Sequence, residues 1–234
     1  MININNSKNM ILEKNELISV NSINLKITKV LNQIAKRSID IIVGIIGLVI
    51  LIPLTVIVTV LNLFEKEKGP IFFTQKRIGK DGKLFKMYKY RTMIVDADKE
   101  LEKILIEDEE LKREYEKNKK MKNDPRITKT GRFLRYLSLD EFPQFINVLK
   151  GEMSLVGPRP YLPREKKDME HYYNYIVKYK PGITGVWQIS GRSNVSFKDR
   201  MVMDMKYYHN KNVFNDIVII ARTIVKTIKR EGVA

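Results

Sequence analysis

The chain is 234 residues long and carries 43 Lys and Arg against 27 Asp and Glu, a formal charge of +16, with 44% hydrophobic and 9% aromatic residues. That mixture excludes a disordered tail, a collagenous chain and a polytopic membrane protein, and the length suits one ordinary domain or two small ones. Cys is absent and His occurs twice, as His171 and His209, so disulfides, thiolate metal sites and multi-His zinc sites are excluded, and a Ser-His-Asp hydrolase would have to use one of these two histidines.

Residues 1–35 are rich in Asn, Ile and Lys without a clear period, and are expected to form a loosely ordered extension. The membrane segment is assigned to 36–66. Within it, Ile41 to Phe64 are 24 consecutive uncharged positions, nearly all aliphatic. As a helix they would extend about 36 Å, against a hydrocarbon core of about 30 Å. The run is too long and too far from the N-terminus for a cleavable signal. Lys26, Lys29, Lys36 and Arg37 flank one end and Lys66, Lys68, Lys76 and Arg77 the other, so charge sets no orientation. Pro53 sits mid-run, where it removes a backbone hydrogen bond. From charge and Pro53 alone, a kinked spanning helix and a helix broken at Pro53 that enters and leaves on one face stand level.

The remainder, 67–234, is assigned to one catalytic domain. Two β-rich runs flank Lys80-Asp81-Gly82-Lys83, and Asp-Gly predicts a hairpin. Asp96 to Lys117 holds ten acids and five bases with a narrow apolar stripe, which predicts one solvated surface helix. Outside it the chain carries 38 bases against 17 acids, a charge of +21. Helical pattern follows at about 130–150, punctuated by Ser138 and Pro143, then at 164–179 and 213–230. Between these lie the rigid turn Gly157-Pro158-Arg159-Pro160 and the turn-rich blocks at 181–185 and 191–194. The last helix is amphipathic, with Lys226, Lys229 and Arg230 near its end; a place in a lipid headgroup layer and a plain helix C-terminus account for these bases equally well. The fold class predicted is α+β and mostly helical, with a small β-hairpin.

Phosphate-loop, dinucleotide-binding and nucleophile-elbow motifs are absent. The adjacent acids Asp140-Glu141 therefore stand out. Ser138 and Glu141 have capping-box spacing, so an ordinary helix start competes with a chemical role. Around them the sequence places Arg132 and Arg135 upstream, Arg159 in its proline-held turn, and Lys89 and Arg91 on the hairpin. Carboxylates can hold a divalent cation, cations can neutralise phosphate charge, and a carboxylate can attack phosphorus. Together with the membrane segment this suggests phosphoryl transfer beside a bilayer.

Four blocks in order, FFTQKRIGKDGKLFKMYKYRTM, NDPRITKTGRFLRYLSLDEFPQFINVLKGEMSLVGPRP, KPGITGVWQISGR and the stretch through Asp204, Tyr207-Tyr208 and Asp216, resemble the bacterial sugar transferases, the monotopic phosphoglycosyl transferases. The resemblance covers some 200 residues from about Lys36 onward. It implies transfer of a phospho-sugar from a UDP-sugar to a polyprenol phosphate with release of UMP, an early membrane step of glycoconjugate assembly. It assigns Asp140 as the nucleophile of a covalent intermediate, and Glu141 to work with Mg²⁺ beside it. Lys89, Arg135 and Arg159 fall on positions that help hold phosphates; Arg126 and Arg192 fall there less firmly, a loop-fixing role being as good a reading. It also implies a re-entrant helix broken at Pro53 with both ends cytoplasmic, at the bacterial inner membrane. Where some members have Ser before this Pro the chain has Ile52, leaving Thr55 as a candidate support. Larger relatives carry an upstream multi-helix domain, and the chain reads as a short form. A nucleic-acid partner fits the charge but lacks any groove-reading motif, and the apolar segment argues against it. An inactive membrane scaffold would need neither Asp140 nor Glu141. The donor sugar stays open, as does assembly, a homodimer included.

Overall fold

A computed structural model describes residues 4–65, 67–118, 121–191 and 195–229. The chain divides into two units, Met1–Ile39 and Asp40–Ala234. The first is helical from Ile4 onward. That helix, α1, is Ile4–Leu63. From Ile4 onward the residues read as an extension are helical, and extending a nucleated helix needs no apolar period of its own.

The second unit begins with the apolar part of α1. Its buried positions are Asp40, Gly44, Gly47, Leu51, Leu54 and Val58, spaced four, three, four, three, four. That is a single stripe down one helix face. Between these positions Ile42, Ile45, Ile46, Val49, Ile52 and Val56 are exposed. The glycines let the rest of the unit come close: a Cβ at Gly44 would lie 2.8 Å from Leu149 Cδ2, and one at Gly47 would meet the Phe145 ring. Pro53 lies inside α1, and the interruption expected there is not seen. Leu51 and Leu54 pack on either side of it. Thr55 Oγ1 donates to Leu51 O at 2.7 Å, whereas the carbonyl that Pro53 leaves without an amide partner is that of Val49; this bond is not the support expected of Thr55.

The predicted hairpin forms as β1 (Phe72–Ile78) antiparallel to β2 (Leu84–Tyr90). Asp81 and Gly82 supply the positive φ its loop needs, +56° and +75°. The acidic segment is two helices, not one: α2 (Ala97–Glu107) and α3 (Glu109–Asn118). Asp108 divides them, since its backbone is extended and its carboxylate accepts from the amides of Glu110 and Leu111. The next helical stretch is likewise broken into α4 (Lys129–Tyr136), a 3₁₀ turn at Leu139–Glu141, and α5 (Gln144–Lys150). Thr128, not Ser138, caps a helix here: Thr128 Oγ1 accepts from Gly131 N at 2.9 Å, whereas Ser138 sits at φ +56° and caps nothing.

Beyond α5 the chain forms β3 (Ser154–Val156), a 3₁₀ segment (Pro163–Tyr172), α6 (Tyr173–Ile176), β4 (Gly182–Thr184), α7 (Val186–Ser190), α8 (Phe197–Asn210) and α9 (Val213–Ile228). The helix expected at 164–179 is mostly 3₁₀, broken at Glu170 with φ +47°. β3 and β4 pair in parallel and bracket the Pro158-Arg159-Pro160 turn, with Gly157 N donating to Thr184 O and Gly182 N to Pro158 O. From the opposite side Ile78 N donates to Tyr161 O. α9 buries Asp216 and Ile219 and exposes Phe214, Ile217, Ile224 and Ile228, the amphipathic division expected of it.

Both ends of the apolar run are tied to this unit. Asp40 Oδ1 accepts from Ser154 Oγ at 3.0 Å and from Leu155 N at 2.9 Å. Asn62 Oδ1 accepts from Arg91 Nη2 at 2.7 Å, and Asn62 Nδ2 donates to Gly69 O at 3.1 Å. A bulky residue on the seated face should then cost stability where one on the exposed face does not. Gly47→Leu is expected to destabilise by about 1–3 kcal/mol through overpacking, and Ile52→Leu to be neutral, as read by thermal unfolding in detergent.

Candidate active site

Asp140 and Glu141 occupy the 3₁₀ turn between α4 and α5. The left-handed Ser138 turns the chain out of α4, and Pro143 starts α5, so the two acids are held on a tight, non-helical link. Lys89 reaches both from β2: its Nζ is 2.7 Å from Glu141 Oε1 and 3.7 Å from Asp140 Oδ2. Arg135, at the end of α4, donates from Nε to Thr92 Oγ1 at 2.9 Å. Its charge acts on Asp140, and Asp140 in turn on it. The Asp140 side chain is 13% exposed and that of Glu141 41%. Burial raises the Asp140 carboxyl above its ordinary value, with Lys89 and Arg135 opposing the shift and Glu141 adding to it.

The structure thus brings together Asp140, Glu141, Lys89 and Arg135. Arg159 stands in a neighbouring cluster. Its backbone N donates to Asp204 Oδ2 at 3.1 Å and its guanidinium lies over the Trp187 ring at 5.2 Å, with Arg200 at 5.4 Å from the same ring. Tyr161 donates its hydroxyl proton to the same Asp204 oxygen at 2.9 Å, so one buried carboxylate grips the turn on both sides of Pro160. Burial pushes Asp204 up to about 7, against the pull of these hydrogen bonds and of Arg159 and Arg200. Arg159 Nε and Trp187 Nε1 are buried polar atoms without a hydrogen-bond partner, donors left facing inward.

Two predicted residues are turned elsewhere. Arg91 donates to Asn62 Oδ1 and Glu67 O, fixing the end of α1 to the hairpin. Arg126 is bound through Nε and Nη2 to Asp124 and through Nη1 to Ala97 O, the loop-fixing arrangement. Arg192 lies outside the described residues.

One cation was passed over in the sequence. Arg77 appears there as a membrane-flanking charge, but it shares a hairpin face with Lys89, its neighbours on β1 being Gln75 and Phe73. Its Nη1 donates to Pro160 O at 2.9 Å and its Nη2 to Gln75 Oε1 at 2.6 Å. Burial lowers its guanidinium to about 10, the nearby Arg159 acting in the same sense and Glu165 and Glu141 against it. Arg77 therefore links the electrostatics of the Arg159 turn to those of the acid pair. Strand alternation from Lys89 through the hairpin register was the signal that could have found it.

Among the described residues no group of three or more His, Cys, Asp or Glu side chains is arranged to hold a metal. Two adjacent carboxylates still suit Mg²⁺, which is commonly held by one or two carboxylates with substrate phosphates completing the shell. A pair of acids within a field of Lys89, Arg135 and Arg77 is equipped to receive a phosphate-bearing substrate and to act on it.

The family model for bacterial sugar transferases matches residues 31–230. The chain belongs to that family. Relatives include the undecaprenyl-phosphate galactose phosphotransferase of Salmonella typhimurium, 42% identical over 84% of this chain and 41% of the relative. The UDP-glucose:undecaprenyl-phosphate glucose-1-phosphate transferase of Escherichia coli is 36% identical over 83% of this chain and 40% of its own length. The exopolysaccharide production protein ExoY of Sinorhizobium fredii is 40% identical over 82% of this chain and 84% of that protein. The chain thus spans about two-fifths of the first two relatives and most of the third.

The sharing of Lys89 has a consequence for pH. If activity needs the Asp140 carboxylate, its acid limb should lie above the ordinary aspartate value of 3.8. Lys89→Gln removes a charge that favours the ionised form, so that limb should move to higher pH while activity falls. A pH–rate profile of both proteins checks it.

Proposed function

We propose that this chain transfers a sugar 1-phosphate from a UDP-sugar to polyprenol phosphate, giving a polyprenol diphosphate-linked sugar and UMP. The observation that carries the reading is a largely buried Asp140 that shares Lys89 with Glu141 on a unit seated against an apolar helix. In the first step an Asp140 oxygen attacks the phosphorus that bears the sugar. An acyl-phosphate bond forms, the bond to the bridging oxygen breaks, and its electron pair leaves with UMP. In the second step an oxygen of polyprenol phosphate attacks the same phosphorus and the Asp140 carboxylate is regenerated. Lys89 and Arg135 are already in place to balance charge building on the phosphoryl oxygens, which is where fixed cations lower such barriers. Glu141, with Asp140 beside it, would hold Mg²⁺. When bound, the ion offsets phosphate charge and polarises the reacting group. Arg159 extends the cationic surface along which the rest of a diphosphate could lie, with the charge of the buried Arg77 behind it.

Support for the lipid acceptor comes from the names of the relatives in Salmonella and Escherichia coli, and from the exposed aliphatic face of α1. The same helix supports a same-side topology. Asp40 and Asn62, at opposite ends of the apolar run, are both hydrogen-bonded to the unit that carries Asp140. A helix so tied enters and leaves the bilayer on the face where that unit sits, the cytoplasmic face of the bacterial inner membrane, where nucleotide sugars are available. The exposed row of α9 can rest on the same face.

Two experiments test the reading. UMP release measured against a panel of UDP-sugars, with undecaprenyl phosphate and Mg²⁺, should select a donor; the names of the relatives put UDP-galactose and UDP-glucose first. Asp140→Asn should lower turnover by at least 10³-fold, and full UMP release by that variant would refute the covalent route. Because the natural chain contains no Cys, single cysteines at Lys36 and Lys68 can be labelled in oriented inner-membrane vesicles. Both should react from the cytoplasmic side alone, and labelling from opposite sides would establish a spanning helix.

A further inference from the structure

The hairpin register sets Phe73 directly opposite Lys89. In an antiparallel pair such residues share one face of the sheet, with Cβ atoms about 5 Å apart. Lys89 is the residue whose ammonium reaches Glu141 and Asp140, so Phe73 stands beside the cation of the acid pair. Phe73 is nevertheless 45% exposed. On the opposite face of the same strand ends Phe72 stacks on Tyr90 at 5.4 Å, and the Tyr90 hydroxyl lies 2.6 Å from Thr55 Oγ1 of α1. At that level α1 exposes Ile52 and Val56, each more than 60% accessible. This end of the hairpin thus lies between the acid pair and the lipid-facing part of the helix.

We infer that Phe73 receives the first isoprene units of the lipid acceptor and is a specificity-determining residue for it. The inference rests on the proposed transferase reading. A polyprenol phosphate has an anionic head joined to an apolar chain, and the hairpin presents a cation and an exposed apolar ring side by side to match the two. Lys89 takes the charge of the head. Phe73 covers the carbon chain beside it and holds the acceptor phosphate at the distance from which it can attack phosphorus on Asp140. The nucleotide sugar has no isoprenoid chain to offer, and a stacking contact of its uracil with Phe73 would show as a change in the donor KM.

The test uses the full chain in nanodiscs, with the donor selected by the panel and undecaprenyl phosphate as acceptor. Phe73→Ala is expected to raise the acceptor KM about tenfold, the scale set by losing burial of one aromatic side chain. The donor KM and the amount of UMP released before acceptor is added should be unchanged. Phe73→Leu, which keeps apolar surface, should recover most of the loss. An unchanged acceptor KM in Phe73→Ala, a parallel rise in donor KM, or no rescue by leucine would overturn the inference. Wild-type protein that releases no UMP without acceptor would refute the covalent intermediate, and the comparison of the two KM values would still decide the role of Phe73.

Discussion

Successive residues of a β-strand point to opposite faces, and the last two positions of β2 turn that rule into the link between membrane and chemistry. Lys89 points to one side and meets both carboxylates; Tyr90 points to the other and meets α1. Neither can shift along the strand without moving the other. Tyr90 is 1% exposed, packed with Leu51, Leu54, Val58 and Leu134, so the position of Lys89 is referred directly to a helix whose other side is a row of exposed aliphatic side chains. Leu134 lies one residue before Arg135 in α4, which brings the second cation of the site into the same packing. The acid pair sits on a short 3₁₀ link whose two ends run into elements resting on α1, since Leu139, Phe142 and Ile146 join that cluster too.

The second organising feature is the Pro158-Arg159-Pro160 turn. Two prolines restrict its backbone, but restriction alone does not aim a side chain. Aim comes from three directions: β3 and β4 hold its start, Arg77 and Ile78 of β1 hold its end, and Asp204 of α8 grips the amide of Arg159 and the hydroxyl of Tyr161. Segments more than 120 residues apart in the chain, from β1 to α8, thereby meet at one arginine. The positive charge that dominates the composition is not spread evenly as a result. Part of it is drawn inward, and the unpartnered buried donors of Arg159 and Trp187 mark where the fold tolerates unmet hydrogen-bonding capacity, as binding sites often do.

Much of this was legible in the sequence, and what was not has physical causes. Asp81-Gly82 located the hairpin because only a few residue types accept positive φ. The carboxylate pair and the cations at Lys89 and Arg135 were visible by type and by family pattern. The stripe on α1 was hidden because a run with apolar residues on every side gives its seated and lipid-facing sides the same hydropathy; only Asp40, Gly44 and Gly47 distinguish them. β3 and β4, at three residues each, are too short to show a period of two, and α8 mixes buried and exposed residues with little amphipathic contrast. The split of the acidic segment turned on one side chain, Asp108, satisfying the amides ahead of it. Arg77 and Asp204 were seen as residues but not as holders of one turn, since that role depends on the tertiary arrangement of β1, the proline turn and α8. Ser138 misled in an informative way: it has the spacing of a cap but the backbone of a turn, and it is that turn which carries Asp140 out of a helix.

The seating of α1 bears on what kind of object this membrane attachment is. A tether can be lengthened, exchanged or cut without harm to what it holds. Here Leu51, Leu54 and Val58 belong to the same hydrophobic cluster as Tyr90 and Leu134, and the glycines above them receive Leu149 and Phe145. Cutting the anchor away would strip one wall from the interior and leave an apolar scar beside Asp140 and Glu141. The helix is better described as a piece of the core that happens to face lipid on its other side, and a water-soluble form would have to be rebuilt from that wall inward.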